Sequence, residues 1–282
     1  MVIPHESQII TLKAPRQVAR LLAFYAVFAA GVPLANGAGT VPFDNAAQLT
    51  QFSLNGNAST TFKYNSTAGL AGGGGVVSTS TAFAADSAIY RTGSATVVGG
   101  SIFASIDYRM QFQSSGPDVR IGFTLLTTDT FDGPNDVWIE TSGNTSDKVL
   151  NANVQGTYSF LDAVTMNAGD WYRLRLDLTK KVAFGFDATA TIFGLGSNGL
   201  ATPFIITTQT FTLGASSLGF SSQLFPGFFL YAPTTAADNF SASSVVPEPS
   251  CGFLIGCGIS IAGRSRVGRR QSAARRSTFG KV

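Results

Sequence analysis

From Ile102 to Gln113 the chain alternates, with Phe103 the one departure. Ile102, Ala104, Ile106, Tyr108, Met110 and Phe112 fall on one side, and Ser105, Asp107, Arg109, Gln111 and Gln113 on the other. Successive side chains of an extended chain point to opposite faces, so a run of this length specifies a strand with one face in a core and one in water. The pattern returns at Val119, Ile121, Phe123 and Leu125, at Tyr172, Leu174, Leu176 and Leu178 against Arg173, Arg175 and Asp177, and at Val182, Phe184 and Phe186. Turn sequences separate these runs: Ser115-Gly116-Pro117-Asp118, Asp132-Gly133-Pro134-Asn135, Asn167-Ala168-Gly169-Asp170 and Gly196-Ser197-Asn198-Gly199. Many amphipathic strands with hardly a helical stretch between Thr40 and Val245 predict an all-β fold of two antiparallel sheets packed face to face. Ile106, Tyr108, Phe123, Leu174, Leu176 and Phe184 are expected in its core, with Arg109, Arg173 and Arg175 on the opposite faces.

The 282 residues, with 23 Phe among them, supply apolar material for a core, while 31 Gly and 12% charged residues argue against long helices. Nothing of low complexity divides the body; Gly72-Gly73-Gly74-Gly75 is short, lacks the Lys-Ser/Thr of a phosphate loop, and reads as a bend or a close backbone approach. A sandwich can use this many residues as one domain. An outer-membrane barrel fits less well, because the loops are rich in Asp, Asn and Gly on too many sides. The formal charge of +3 is carried by the ends: from Ala38 to Pro249 there are 9 Lys and Arg against 15 Asp and Glu, a net of −6. That part offers no basic face to phosphate, which excludes a nucleic-acid partner. The only His is His5 and the only Cys are Cys251 and Cys257, so Ser-His-Asp and Cys-His catalysis, structural zinc, haem ligation and thiol redox chemistry lack their residues in the body.

Both ends read as addresses. Lys13, Arg16 and Arg20 precede the apolar run Leu21 to Ala30 and the breaker Gly31-Val32-Pro33, the order of a secretory signal peptide. Ala35 and Gly37 supply the small residues that signal peptidase reads, which places the cut between Gly37 and Ala38. At the other end Pro247-Glu248-Pro249 precedes the largely apolar Cys251 to Gly263 and then Arg264, Arg266, Arg269, Arg270, Arg275 and Arg276. A helix over those 13 residues spans about 20 Å, short against a hydrocarbon core of about 30 Å, and the arginines hold its end on the cytoplasmic side.

In that tripeptide, apolar helix and basic stop the chain resembles the PEP-CTERM family of exported bacterial proteins. The resemblance covers the last 36 or so residues. It implies transient anchoring in the inner membrane of a Gram-negative bacterium, recognition of Pro247, Glu248 and Pro249 by an exosortase-type enzyme, and delivery to the cell surface or the biofilm matrix. The organisation expected is therefore a signal helix over 1–37, a sandwich domain over 38–246 and a sorting segment with a short transmembrane helix over 247–282.

At Gly169-Asp170-Trp171-Tyr172-Arg173-Leu174-Arg175-Leu176-Asp177-Leu178 and at Ala237-Asp238-Asn239-Phe240-Ser241 the body resembles the concanavalin A-like lectin/glucanase jelly rolls, laminin-G modules included. That resemblance implies a jelly-roll sandwich and leaves the function open, since the fold serves lectins, enzymes and structural modules alike.

Polar function concentrates between Asp129 and Glu140. On an extended strand Asp136, Trp138 and Glu140 share one face while Val137 and Ile139 turn to the core. Trp138 then offers a platform for a sugar ring, with Asp136 and Glu140 accepting from its hydroxyls; alternatively Trp138 caps the sandwich edge and the carboxylates are solvated. Laminarinase-type glucanases of the resembled fold carry Glu-x-Asp-x-(x)-Glu on such a strand. Here Asp136 stands at the first carboxylate and Trp138 where the central Asp belongs. Asp129, Asp132, Asn135 and Asp136 are hard oxygen ligands of the kind Ca²⁺ takes, and equally ordinary turn residues. The chain is thus expected to be an exported surface or matrix protein without catalytic residues. Its expected ligand is a polysaccharide, Ca²⁺ is the one candidate cofactor, and a secreted glycoside hydrolase or polysaccharide lyase is the alternative.

Overall fold

A computed structural model describes residues 38–243 apart from 80–85, 112–116, 132, 144–147, 183–184, 215–217, 219–222 and 232–234. The chain divides into two compact units, 1–244 and 245–282, and every described residue belongs to the first. The signal segment with its cut at Gly37 and Ala38, and the sorting segment with Pro247, Glu248 and Pro249, lie outside the described residues or at their border. Among the described residues no helix is long and apolar enough to cross a membrane.

Sixteen strands account for most of the described residues: β1 (Ala38–Val41), β2 (Phe52–Asn55), β3 (Phe62–Asn65), β4 (Gly75–Ser78), β5 (Ser87–Tyr90), β6 (Ser94–Ala95), β7 (Ser101–Arg109), β8 (Pro117–Thr124), β9 (Asp136–Gly143), β10 (Lys148–Val154), β11 (Thr157–Val164), β12 (Trp171–Lys180), β13 (Phe186–Gly196), β14 (Phe204–Leu213), β15 (Gln223–Leu230) and β16 (Ala236–Ser243). They form two eight-stranded sheets. The first runs β14-β13-β12-β7-β16-β4-β3 with β1 beside β16, and the second β11-β10-β9-β8-β15-β5-β2 with β6 beside β15. Every pair is antiparallel.

The alternation explains why the sheets face each other. Leu174 stands between Ile106 and Ile192, and Leu176 between Ala104 and Ala190, so large and small side chains fill adjoining positions. Val119, Ile121 and Phe123 of β8 and Val137 and Ile139 of β9 meet them from the second sheet, all fully buried. An aromatic cluster closes one part of this core, with the Phe228 ring 5.4 Å from Phe52, 5.9 Å from Phe62 and 5.7 Å from Phe240. Across the core the Tyr108 hydroxyl lies 3.0 Å from that of Thr141, so this fully buried phenol has a partner.

Arg173 and Arg175 face outward as expected. Arg173 forms a bidentate pair with Asp107 at 2.6 and 2.8 Å, and the Asn239 amide donates to the same carboxylate at 3.2 Å. Asp107 is fully buried, so three adjacent strands are tied by one charged group. The Asp-Asn-Phe strand now has a physical reading: Asn239 takes a positive φ at a bulge in β16, which sends its amide to Asp107 and the Phe240 ring into the core.

One expectation changes. Val182 does not open a strand: β12 ends at Lys180 and β13 begins at Phe186, so Val182 sits on the hairpin turn, 86% exposed, and the spacing there was a coincidence of turn and strand. Phe184 falls outside the described residues. The glycine run does make a close backbone approach, since a methyl on Gly74 would stand 2.5 Å from the Phe43 carbonyl oxygen. Truncating the hub of the aromatic cluster, Phe228→Ala, is expected to cost about 3 to 5 kcal/mol of stability in a denaturant titration. A loss under about 1 kcal/mol contradicts the packing described.

Candidate functional site

The outer face of the second sheet carries the residues singled out between Asp129 and Glu140. β9 points Asp136, Trp138 and Glu140 away from the sandwich interior, as the alternation requires. That face is not open. The segment after β8 folds back across it as far as Phe131, which inserts against Ile89, Trp138, Phe229 and Tyr231 and forms a second small core outside the main one. Two glycines opposite each other make room for it. A methyl on Gly122 would stand 2.5 Å from the Trp138 Cβ, and one on Gly227 would stand 3.0 Å from the Phe131 ring.

Arg120 of β8 lies at the centre of this arrangement. Its Nε donates to Glu140 at 2.8 Å and one terminal nitrogen donates to the Tyr158 hydroxyl at 2.9 Å. The guanidinium lies 3.9 Å from the centre of the Trp138 ring, 4.9 Å from Tyr231 and 5.3 Å from Phe229. Such stacking strengthens when the cation is withdrawn from water. Burial opposes the charge on Arg120, and Tyr231 and Glu140 more than offset it, holding the group above its ordinary range. The other Glu140 oxygen accepts from the Asn151 amide at 3.3 Å, and the same amide nitrogen donates to Ser142 at 2.9 Å. A chain of fixed polar groups therefore runs from β8 across β9 to β10.

The expected open platform at Trp138 is corrected. The indole is 1% exposed, with Arg120 over one face and Tyr158 edge-on at 5.1 Å, so it anchors the network and presents no free ring face. Asp136 and Glu140 are buried with it and are not solvated. The exposed aromatics of this sheet, among the described residues, are Tyr158 and Phe160 of β11, 55% and 65% exposed. They stand opposite Asn153 and Asn151 and so share the outer face. Two residues apart on one strand, they are spaced by about 7 Å. Sequence reasoning passed over them; Tyr158-Ser159-Phe160 does alternate, but Leu161 follows at once and hides which face is wet.

Asp136 and Glu140 are four strand steps apart, about 13 Å along the backbone. Retaining and inverting glycosidases need about 5 Å and about 6.5 to 9.5 Å. The pair is too far apart and too buried to flank a scissile bond.

Asp136 makes a different pair, with Asp129. Its Oδ2 accepts from the Gly133 N–H at 3.0 Å, its Oδ1 is buried with no hydrogen-bond partner, and Thr124 donates to Asp129 at 3.3 Å. The Asn55 amide and the Ser87 hydroxyl hold the Asp129 carbonyl at 2.9 and 2.8 Å. Burial first, then the charge on Asp129, pushes Asp136 up to about 7. Of the expected calcium ligands Asp129, Asp132, Asn135 and Asp136, the first and last come together, Asn135 spends its carbonyl on the Leu125 N–H, and Asp132 lies outside the described residues. Among the described residues no three metal-ligating His, Cys, Asp or Glu side chains gather. Two carboxylates and the Thr124 hydroxyl fall short of the six to eight oxygens Ca²⁺ takes, so the pair would hold such an ion only with water or main-chain oxygens added.

An unfolded Asp releases its proton near 3.8, whereas folded Asp136 keeps it to about 7. The native state is therefore penalised increasingly as pH rises between these values, and fully above them. Asp238, raised by burial to about 6, adds a penalty of the same sign. The unfolding midpoint is expected to fall from pH 4 to pH 8, and Asp136→Asn should raise it at pH 8 and flatten the slope. An unchanged slope in that variant refutes the assignment. Added Ca²⁺ raises the midpoint at pH 8 in the wild type alone if the pair binds it.

No protein-family description matches the chain, and no curated protein matches its sequence. Among solved structures it is similar to the enzymatically active domain of bacteriophage CBA120 tailspike protein 2, at 13% identity over 70% of this chain with a TM-score of 0.44. The chain spans 29% of the length of that domain and 26% of the full tailspike. A lectin from Bauhinia forficata in complex with GalNAc matches at 8% identity over 74% of this chain and 99% of its own, TM-score 0.44. The PL-14 alginate lyase of Aplysia kurodai matches at 7% over 75% and 99%, TM-score 0.40. Likenesses this distant leave the site to be argued from its own residues.

Proposed function

We propose that this protein is an exported, non-enzymatic glycan-binding protein, a concanavalin A-like jelly roll that takes a polysaccharide on the outer face of its second sheet. One observation carries the reading: Tyr158 and Phe160 stand exposed side by side on β11, next to Asn151 and Ser142, which Glu140 and Arg120 hold in place. A sugar ring has apolar C–H faces and a rim of hydroxyls, so it is matched by an aromatic surface beside immobilised amide and hydroxyl groups. Prepositioned side chains lose little freedom on binding.

The addressing segments complete the proposal. β1 begins at Ala38, where the proposed cut leaves the mature chain, and β16 ends at Ser243, just ahead of Pro247-Glu248-Pro249. On this reading signal peptidase and an exosortase-type enzyme are the processing partners, the C-terminal helix anchors the chain in the inner membrane until it is removed, and the destination is the surface or matrix of a Gram-negative bacterium.

The test uses the exported chain, whose N-terminus is expected by mass spectrometry at Ala38. Titrated against a panel of acidic and neutral polysaccharides, the wild type is expected to bind at least one. Tyr158→Ala and Phe160→Ala should each weaken that binding about tenfold, the loss from uncovering about 50 to 60 Å² of stacked apolar surface. Full affinity in both variants places the site elsewhere, and no binding by the wild type to any glycan refutes the reading.

A further inference from the structure

We infer that β14 is a self-association edge, through which a second copy of this chain pairs to continue the first sheet across a twofold axis. A sheet edge presents unpaired N–H and C=O groups, and soluble proteins blunt such edges by shortness, charge, bulges or covering segments. Three of the four sheet ends here do so. β2 and β3 are four residues each, β3 with Lys63 inside it, and β11 carries Asp162 and a bulge in its pairing. β14 is different: ten residues, Phe-Ile-Ile-Thr-Thr-Gln-Thr-Phe-Thr-Leu, without a charge or a proline. Its one bulge, at Ile206, leaves Thr207 to Leu213 in regular register with β13. Among the described residues no segment pairs with its outer side.

The pattern of side chains favours another copy over a different partner. Thr208, Thr210 and Thr212 lie opposite Thr191, Thr189 and Asp187, on the solvent face of the sheet, while Phe211 and Leu213 lie opposite the buried Ala188 and Phe186. An antiparallel twofold at Thr210, the midpoint of the regular stretch, sets Thr210 against Thr210, Thr208 against Thr212 and Gln209 against Phe211. Each opposed pair then keeps solvent-facing residues with solvent-facing and core-facing with core-facing, as a continuous sheet requires. Every pair is uncharged, and directly opposed Thr residues are favourable. The nearest carboxylate on the core side, Asp162, is held by Thr207 and Gln209. A strand with no charge of its own has no charge code with which to select a foreign partner.

The regular stretch is about 24 Å long, and the sandwich edge with its side chains is about 20 Å thick, so each chain covers about 500 Å² and the pair about 1,000 Å². That is the lower limit for a specific interface, and it sets a dimer dissociating in the micromolar range rather than a permanent one.

Sedimentation velocity of the purified protein from about 1 to about 500 µM tests the inference. The wild type is expected to pass from one to two chain masses across that range. Thr210→Lys, a solvent-face change that leaves thermal unfolding unaltered, should weaken association at least tenfold by setting two ammonium groups against each other. Mixing Thr210→Lys with Thr210→Glu should restore it, because only a twofold at this residue opposes the two. A wild type that stays single up to about 500 µM overturns the inference. So does a dimer indifferent to Thr210→Lys, or a mixture that fails to recover.

Discussion

A guanidinium can be withdrawn from water only where the protein meets its donors and its flat faces, and Arg120 finds both hydrogen-bond partners and aromatic rings. Glu140 and Tyr158 take its hydrogen bonds, and Trp138, Phe229 and Tyr231 surround its plane. Removing one member of such a buried pair leaves the other uncompensated, which is far more destabilising than the pair is stabilising. The positions of five side chains on β9, on β11 and at the end of β15 thus follow from one cation on β8. Phe131 then caps the cluster, the Gly122 and Gly227 pair makes the approach possible, and Tyr158 is held upright at the rim where its ring is exposed.

The first sheet repeats the logic with the sign reversed. There a single carboxylate, Asp107, is withdrawn from water and met by Arg173 from β12 and Asn239 from β16. Neither ion pair is a device for gaining net stability, since burial costs about as much as the attraction returns. What each does is fix which strands lie side by side and in which register, a task that the interchangeable Leu, Ile and Val of the interior cannot perform alone. The solvent faces of this sandwich are therefore more specific than its core.

Much of the fold was legible in the alternation, and the exceptions have one cause. Period two assigns each residue to a face, and it did so correctly for β7, β8, β9 and β12. It does not say what lies over that face. Trp138 was assigned to the outer side of β9 and is there, but Phe131, Arg120 and Tyr158 cover it, so exposure did not follow from orientation. Tyr158 and Phe160 were missed because an apolar residue on a strand reads as core, and only the end position of β11 in its sheet makes them wet. Asp107 was legible as a polar position and not as a buried one, because its partners come from residues 66 and 132 positions away. Asp129 and Asp136 were legible as a cluster, whereas the unpartnered oxygen depends on how deeply the loop packs.

The central claim is that the aromatic rim of β11, organised through Arg120, is where the ligand lies. The most direct measurement is an NMR titration of the protein, labelled in aromatic and side-chain amide groups, with an oligosaccharide from the polysaccharide it binds. The account predicts that the Tyr158 and Phe160 rings and the Asn151 amide shift progressively and together, while the Trp138 indole N–H stays protected from solvent throughout. Shifts confined to the threonine-bearing face of β13 and β14, or a Trp138 indole that becomes exposed and takes the sugar in place of Tyr158 and Phe160, would contradict it.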